Sequence, residues 1–331
     1  MKKVLAVMLV AALVCAAGCG KQGEQKQEEK TVKVGIVLSI GGLGDKSFND
    51  AAYRGLEWAK RDFDMEFNYV EPASTAEDEQ FLTQYAQSGY DLIIATGFLM
   101  KDACEKVAKQ YPDTKFAIID SVIDLPNVSS LTFKEHEGSF LVGALAGLMT
   151  ESNTIGFVGG MEIPLIKKFE YGYEQGAKYT NPNVKILSLY TTGQNPFNDP
   201  VQGKDNALNQ IGQGADVVYH AAGGTGLGVI EACKEKGVWA IGVDSNQDGV
   251  AKGTVLTSML KKVDVAVYDT VKSVIEGNFE SGVQSFGVKE GGVGTTDFEF
   301  TRDKIPAEYL VQLDEIKELI KTGELEVKAQ R

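Results

Sequence analysis

The chain has 331 residues, of which 46 are Asp or Glu and 33 are Lys or Arg, so its formal net charge at pH 7 is −13. This acidic balance disfavours nucleic acid and bare anionic lipid as partners, because both repel a negatively charged protein. The sequence contains only two histidines and four cysteines. Because they form no closely spaced set, we expect no zinc or other metal site, and nothing indicates a cofactor.

The first thirty residues have the pattern of an export signal followed by a tether. Two lysines precede an apolar run from Val4 to Val14, which is too short to cross a bilayer, and small residues lead into Cys19. This ending resembles a bacterial lipobox, in which the signal is cut before the cysteine and the cysteine is acylated. The charged stretch that follows has no apolar side chain. We predict a signal peptide over 1–18 and a lipidated flexible tether over 19–31.

Short apolar runs then alternate with helical patterns along most of the chain. Runs that are apolar on both alternating faces are typical of parallel strands covered by helices, so the pattern predicts a doubly wound α/β fold. We predict ten strands, at 33–39, 67–70, 91–96, 115–120, 128–133, 154–159, 184–190, 216–221, 238–244 and 254–259. Ten strands are too many for one compact sheet of this length, and they divide into two fives near residue 132.

Helices are predicted from the spacing of apolar residues between these strands. One apolar face extends over 52–63, after Ser47, which we predict to be the N-cap with Asp50 three residues on. Later in the chain we predict two helices, at 262–275 and 306–320, and a glycine-rich loop at 290–294.

The two halves of the chain repeat each other. The first half contains DLIIATG, then Ala103-Cys104, then IIDS. The second half contains the corresponding series DVVYHAAGG, then Ala232-Cys233, then GVDS. This repeat supports two similar lobes. We predict that lobe I comprises 32–132 plus 260–285 and lobe II comprises 133–259 plus 286–331. Lobes of this kind bind ligands in the cleft at the carboxyl ends of their strands.

The cysteines and His220 of the folded part are interpreted as buried structural residues. Cys104 and Cys233 lie in predicted helices, which favours two buried thiols over a disulfide. His220 has no neighbouring nucleophile motif, so we predict that it is buried and hydrogen bonded, and we expect no enzyme. Counting carboxylates leaves an acid/base pair open.

The loop after the first strand, GGLGDKSFND, raises the question of a phosphate cradle. It fails as a dinucleotide fingerprint, because Ser47 stands where the third glycine is required, and the chain has no P-loop. Phe48 instead stands at the carboxyl end of a strand, where an aromatic ring can stack on a flat ligand such as a nucleobase. The alternative is a hydrophobic staple under the first helix.

Asp120 and Asp244 each end an apolar strand and are each followed by serine. We expect them to face the cleft from opposite lobes, where a carboxylate can accept hydrogen bonds from a sugar diol or a base N–H. The alternative for each is a helix or turn cap. The segment 244–249 imitates the start of a calcium loop, but Val255 stands where that loop needs a glutamate, so we reject calcium.

Seven sequence words carry a family resemblance. They are GDKSFND, FAIIDS, EHEGSFLVGALAG, PFNDPVQGK, HAAGGTG, GVDSNQ and LTSMLKKVD, in this order behind the lipobox. Together they resemble the basic membrane protein family, the lipoprotein substrate-binding components of nucleoside ABC importers, and the resemblance extends from Val32 to at least residue 294. It implies a two-lobed type I periplasmic-binding-protein fold that closes over a nucleoside, a purine nucleoside foremost.

The resemblance also implies a set of ligand-binding residues. The residues that match the family's positions are Phe48 and Phe197, to sandwich the base; Asn49 and Asp120, to bond the base; and Asp244 and Lys261, to bond the ribose. Weaker matches in neighbouring loops are Asp45, Gly223 and Gly224.

The function implied is a monomeric, lipid-anchored receptor on the extracytoplasmic face of the cell membrane, which delivers nucleosides to ABC permease and ATPase subunits. The alternatives are a sugar receptor of the same fold, a surface sensor or adhesin without transport, and a nucleoside hydrolase. The hydrolase is disfavoured because the loop at 39–50 lacks clustered aspartates.

Overall fold

The computed structural model describes residues 31–331. The predicted signal peptide, Cys19 and nearly all of the predicted tether lie outside the described residues. The strands, in chain order, are β1 Val32–Val37, β2 Met65–Val70, β3 Leu92–Thr96, β4 Lys115–Ile119, β5 Val128–Phe133, β6 Thr154–Gly159, β7 Lys185–Tyr190, β8 Val217–Ala221, β9 Trp239–Asp244, β10 Val255–Lys261, β11 Gly282–Phe286 and β12 Val293–Thr295. The α-helices are α1 Phe48–Asp62, α2 Asp78–Gln87, α3 Lys101–Gln110, α4 Glu135–Met149, α5 Pro164–Thr180, α6 Pro200–Gly212, α7 Thr225–Lys236, α8 Val263–Ile275 and α9 Ala307–Thr322.

The strands form two six-stranded sheets of the same order. One sheet has the order β11-β5-β4-β3-β1-β2, and the other has β12-β10-β9-β8-β6-β7. All neighbouring strands are parallel except β12, which pairs antiparallel with β10. The doubly wound α/β prediction and all ten predicted strands are confirmed. We call the first sheet with its helices the first lobe and the second sheet with its helices the second lobe; the predicted lobe boundaries themselves stay a prediction.

Two edge strands were not predicted. β11 adds to the first sheet beside β5, and β12 adds to the second beside β10. The predicted loop at 290–294 is therefore wrong in its last two residues, because Val293 pairs with Lys261 and Gly294 with Leu260. A three-residue strand at a sheet edge is too short to leave a period-2 pattern in the sequence.

The helices lie as their apolar faces require. α1 packs against α8 in the first lobe, and α4 packs against α5, β10 and β12 in the second. The chain therefore passes from one sheet to the other after β5, after β10 and after β11. The predicted helices at 262–275 and 306–320 are confirmed as α8 and α9. Among the residues described, no helix is both long and apolar enough to cross a membrane.

The start of α1 differs from its prediction. Ser47 occupies the N-cap position, but its side chain makes no capping bond. The Asp45 carboxylate caps the helix instead, accepting hydrogen bonds from the backbone N–H groups of Ser47 at 2.8 Å and Asn49 at 2.9 Å. Asp50, predicted to complete a capping box, accepts from the backbone of Gly44 at 2.8 Å. The hydroxyl of Ser47 is thus free for another contact.

The predictions for cysteines and His220 are confirmed. Cys104 in α3 and Cys233 in α7 are free and buried, and burial raises the pKa of each thiol to about 12. His220 is fully buried, with its Nε2 3.0 Å from Oε1 of Gln247. Burial lowers the pKa of His220 to about 4, so the ring is neutral at pH 7.

Candidate functional site

A pocket lies between the two lobes at the carboxyl ends of their strands. Eight of the nine predicted ligand-binding residues line it: Asp45, Phe48, Asn49, Asp120, Phe197, Gly223, Asp244 and Lys261. The other lining residues are Ser39, Ile40, Gly97, Phe98, Leu99, Leu165, Ile166, Phe169, Ala221, Ala222 and Val243. Strand ends and the loops after them supply most of this lining, as the cleft rule for parallel sheets predicts. The role of each residue toward a ligand stays a prediction.

Aromatic rings form a large part of the pocket wall. Phe48 is the first residue of α1, and Phe197 lies in the loop before α6. Phe98 follows β3 and meets Phe197 edge to face, with ring centroids 6.4 Å apart. A hydrophobic staple joins the residue before the N-cap to the fourth helical residue, and Phe48 occupies neither position. The placement of Phe48 therefore favours the stacking interpretation.

Lys261, at the end of β10, is the buried cation of the pocket. Its side chain is 2% exposed, and its Nζ lies 2.6 Å from Oδ2 of Asp120 and 3.4 Å from Oε1 of Glu135. Burial by itself lowers the pKa of Lys261, but the carboxylates of Asp120, Glu135 and Asp244 raise it above the ordinary value. The ammonium group is therefore charged at pH 7, and its charge is shared among acids from both lobes.

Three rings enclose the ammonium group of Lys261. The Nζ lies 5.1 Å from the ring centroid of Phe48, 5.1 Å from that of Phe133 and 5.6 Å from that of Phe169. A cation within about 6 Å of an aromatic face is attracted by the ring quadrupole. The lysine that ends β10 thus helps to hold Phe48 and Phe169 at the pocket wall.

Asp120 directly follows β4 in a left-handed backbone conformation, with φ of +64°. Its Oδ2 accepts the hydrogen bond from Lys261, whereas its buried Oδ1 has no hydrogen-bond partner among the described residues. Burial raises the pKa of Asp120, and the charge of Lys261 acts in the opposite direction. An unpartnered buried carboxylate oxygen at a pocket is a place where a ligand N–H or O–H can donate.

Asp244 ends β9 with nearly the same backbone conformation, at φ of +63°. Its Oδ2 accepts a hydrogen bond of 2.6 Å from the hydroxyl of Ser47 in the first lobe. Burial raises the pKa of Asp244 to about 6, although Lys261 and Ser47 favour the ionised form. This carboxylate is therefore ionised at pH 7 but poorly compensated, which suits a site that a hydrogen-bond donor enters.

The remaining predicted residues shape the pocket around these groups. Asn49 accepts from both the backbone N–H and the hydroxyl of Ser39, at 3.0 and 3.1 Å, so its oxygen is occupied. Gly223 has a φ of +53°, and a Cβ there would lie 3.1 Å from the carbonyl oxygen of Phe197. Gly224 is not among the lining residues; a Cβ there would meet Oδ1 of Asn198 at 3.1 Å. Both glycines let the Phe197 loop approach closely.

Sequence reasoning missed Glu135, Phe98 and Phe169. Glu135 is 1% exposed, and its carboxylate contacts Lys261 and, at 3.4 Å, Lys168. Glu135 and Phe98 stand just after β5 and β3, so their position at strand ends was a usable signal. Phe169 lies inside α5 on a face that also contributes Leu165 and Ile166 to the pocket, and nothing in its spacing distinguishes it from a core residue.

Comparison with known proteins decides the family. The family model described as Bmp, ABC transporter substrate-binding protein PnrA-like, matches residues 32–331. The chain belongs to this family. Bmp proteins are substrate-binding components of ABC transporters, so a permease and an ATPase are the partners that membership implies. The family recognised from the seven sequence words is confirmed.

Individual relatives agree with this assignment. The chain is 35% identical to an ABC transporter nucleoside-binding protein of Lactococcus lactis, over 88% of this chain and 90% of that protein. It is 39% identical to an uncharacterised lipoprotein of Pyrococcus abyssi, over 95% of this chain and 81% of that protein. Among solved structures, an ABC transporter solute-binding protein of Aeropyrum pernix superposes with a TM-score of 0.83 at 34% identity, covering 89% of this chain and 92% of that one. The predicted two-lobed type I periplasmic-binding-protein fold is confirmed.

Proposed function

We propose that this Bmp-family protein captures nucleosides, purine nucleosides foremost, and delivers them to an ABC importer. The observation that carries the proposal is the pocket itself, where aromatic rings stand beside buried carboxylates from both lobes. A nucleoside offers a flat base to the rings and sugar hydroxyls to the carboxylates. The nucleoside-binding relative supports the same ligand class.

The base is assigned to the space between Phe48 and Phe197. Since the oxygen of Asn49 is occupied by Ser39, we expect its Nδ2 to face the ligand and to donate to an acceptor on the base. Asp120 offers its unpartnered Oδ1 to a base N–H. An amide donor and a carboxylate acceptor at one edge suit a purine, whose edges carry both kinds of group.

The ribose is assigned to Asp244 and Lys261. A carboxylate can accept from both hydroxyls of a 2′,3′-diol, and an ammonium group has three donors, of which Asp120 takes one at 2.6 Å. The excess of acids over Lys261 in the pocket favours a ligand that brings hydrogen-bond donors and no negative charge.

The proposal extends to where the receptor is held. We propose that Cys19 carries lipid and holds a monomeric receptor on the extracytoplasmic face of the cell membrane. The lipobox-like ending before Cys19 supports this, as does the lipoprotein naming of a relative. Stable anchoring requires more than one acyl chain. Cys19→Ala should remove the protein from the membrane fraction, which cell fractionation measures. If the variant stays in that fraction, the anchor lies elsewhere.

Thermal melting of the protein with different small molecules tests the ligand class. A ligand that binds only the folded form stabilises it by about 2.7 kcal/mol at a hundredfold excess over its dissociation constant. We expect adenosine, guanosine or inosine to raise the melting temperature and glucose or ribose to leave it nearly unchanged. Mass spectrometry of the purified protein should find a nucleoside among any small molecules that copurify. A rise with glucose alone would indicate a sugar receptor.

Phe48→Ala separates stacking from a packing role. Base stacking on an aromatic side chain contributes roughly 1 to 3 kcal/mol. The variant should therefore lose most of the nucleoside-induced rise in melting temperature while its unliganded melting temperature stays within a few degrees of wild type. A large loss of unliganded stability with binding intact would support the staple interpretation instead.

A further inference from the structure

Ser47 is a buried residue next to Phe48 in the chain, and the nucleoside proposal gives it no role. We propose that the Ser47 hydroxyl positions the Asp244 carboxylate for the ligand from across the cleft, and that this contact couples the sugar site to closure of the two lobes. The inference rests on the proposed function for the identity of the ligand. The contact itself can be tested without any ligand.

The hydrogen bond joins the two lobes directly. Ser47 stands at the start of α1 in the first lobe and is 0% exposed. Its Oγ lies 2.6 Å from Oδ2 of Asp244 and 3.2 Å from the carbonyl oxygen of Val243, both at the end of β9 in the second lobe. A distance of 2.6 Å is typical of a hydroxyl that donates to an ionised carboxylate. The hydroxyl therefore fixes one oxygen of Asp244.

The backbone of Ser47 is held in place from both sides. Asp45 accepts from its N–H at 2.8 Å, and the hydroxyl of Ser245 donates to its carbonyl oxygen at 2.9 Å. Ser245 also accepts from Nη2 of Arg54 at 3.2 Å, and Arg54 is paired with Asp264 at 2.7 Å. One serine hydroxyl from each lobe thus donates across the cleft: Ser47 to the end of β9, and Ser245 to the backbone of Ser47.

This arrangement has a consequence for the sugar site. With Oδ2 of Asp244 held by Ser47, the carboxylate has a fixed orientation in which Oδ1 is the oxygen left for a ligand hydroxyl. When the lobes separate, the bond from Ser47 is lost and the carboxylate is free to turn. The oriented site therefore exists only in the closed form, so that ligand binding at Asp244 and closure favour each other.

The test compares Ser47→Ala with Ser47→Thr, which keeps the hydroxyl, and with Ser121→Ala, which removes a serine hydroxyl beside the other strand-end aspartate. Ser121 follows Asp120 at the end of β4, as Ser245 follows Asp244 at the end of β9. Carbon-13 NMR of aspartate-labelled protein without ligand reports the pKa of the Asp244 carboxyl, assigned by its loss in Asp244→Asn. Lys261, Asp120 and Asp45 also act on this carboxyl, and none of them changes in these variants.

Loss of a hydroxyl donor to a carboxylate should raise the pKa of Asp244 by about one to two units in Ser47→Ala. Ser47→Thr should restore the wild-type value, and Ser121→Ala should not move it. In calorimetry, Ser47→Ala should bind adenosine about tenfold more weakly than wild type does. It should also lose most of the preference for adenosine over 2′-deoxyadenosine. If Ser47→Thr fails to fold, Ser47→Cys, a weaker donor, should give an intermediate pKa.

The outcomes separate the two proposals. If the pKa of Asp244 in Ser47→Ala matches the wild-type value both without ligand and with saturating adenosine, the positioning role is wrong. An altered pKa with unchanged adenosine affinity overturns the coupling to the sugar site. If wild-type protein binds no nucleoside while Ser47→Ala still raises the pKa, the contact stands and the proposed ligand class fails.

Discussion

The ends of β4 and β9 present the same motif with different chemistry. Asp120 directly follows β4 and Asp244 is the last residue of β9; each has φ near +64°, precedes a serine and lines the pocket. Asp120 is compensated by a full charge, the Lys261 ammonium at 2.6 Å, whereas Asp244 has a hydroxyl, Ser47, at the same distance. Two equivalent strand ends thus hold one carboxylate in an ion pair and one that accepts a hydrogen bond from a neutral hydroxyl.

The largest expected effect lies on the ion-pair side of this comparison. Lys261→Met removes the cation and leaves the buried Asp120 without its ion-pair partner and Glu135 with Lys168 at 3.4 Å, which should cost about 3 to 5 kcal/mol of unfolding free energy. Urea denaturation measures this loss. Lys272→Met is the control, because Lys272 and Glu276 are 3.8 Å apart and each 46% exposed, and its cost should be below about 1 kcal/mol. Equal costs for the two variants would contradict the account of Lys261.

The two aspartates should respond in opposite directions to neutralisation. Asp120→Asn weakens a charged hydrogen bond to Lys261 and should destabilise the ligand-free protein by roughly 1 to 3 kcal/mol. Asp244 has a folded-state pKa of about 6 against an ordinary 3.8, so the stability it contributes is complete below pH 3.8 and lost as the pH rises through 6. Asp244→Asn should therefore be more stable than wild type at pH 8, on the order of 1 kcal/mol or more.

Thermal melting of both variants at pH 4 and pH 8 checks this pair. The advantage of Asp244→Asn should grow between the two pH values, while Asp120→Asn should be less stable than wild type at pH 8. Loss of stability in both variants at pH 8 would mean that Asp244 is compensated as fully as Asp120.

A smaller effect is expected in the pH dependence of binding. Ligand hydroxyls that donate to Asp244 favour its ionised form, so adenosine affinity should fall by up to about tenfold per unit as the pH drops below 6. His136 and His220 have pKa values lowered by burial to about 4 and do not titrate in this range. Calorimetry between pH 5 and 7.5 measures the slope, and Asp244→Asn should abolish it. A flat wild-type profile would remove Asp244 from the ligand contact.

The sequence predicts the strands and the two aspartates at their ends, but not the side chains that bind these aspartates. Short runs that are apolar on both faces locate ten strands, and polar residues at the ends of parallel strands are expected to face the cleft, which is why Asp120 and Asp244 could be found. Their partners lie 141 and 197 residues away along the chain. No local pattern indicates that Lys261 pairs with Asp120, or that the hydroxyl of Ser47 donates to Asp244 while Asp45 caps the helix. Those choices depend on how the two lobes meet.

The ribose preference tests the central claim most directly. Hydrogen bonds to a charged group contribute roughly 1.5 to 3 kcal/mol, so wild-type protein should bind adenosine about tenfold or more tightly than 2′-deoxyadenosine at pH 7.5. Calorimetry on Asp244→Asn should show both ligands bound weakly and almost equally. If Asp244→Asn keeps the full wild-type preference for adenosine, Asp244 is only a turn residue and the sugar does not bind there.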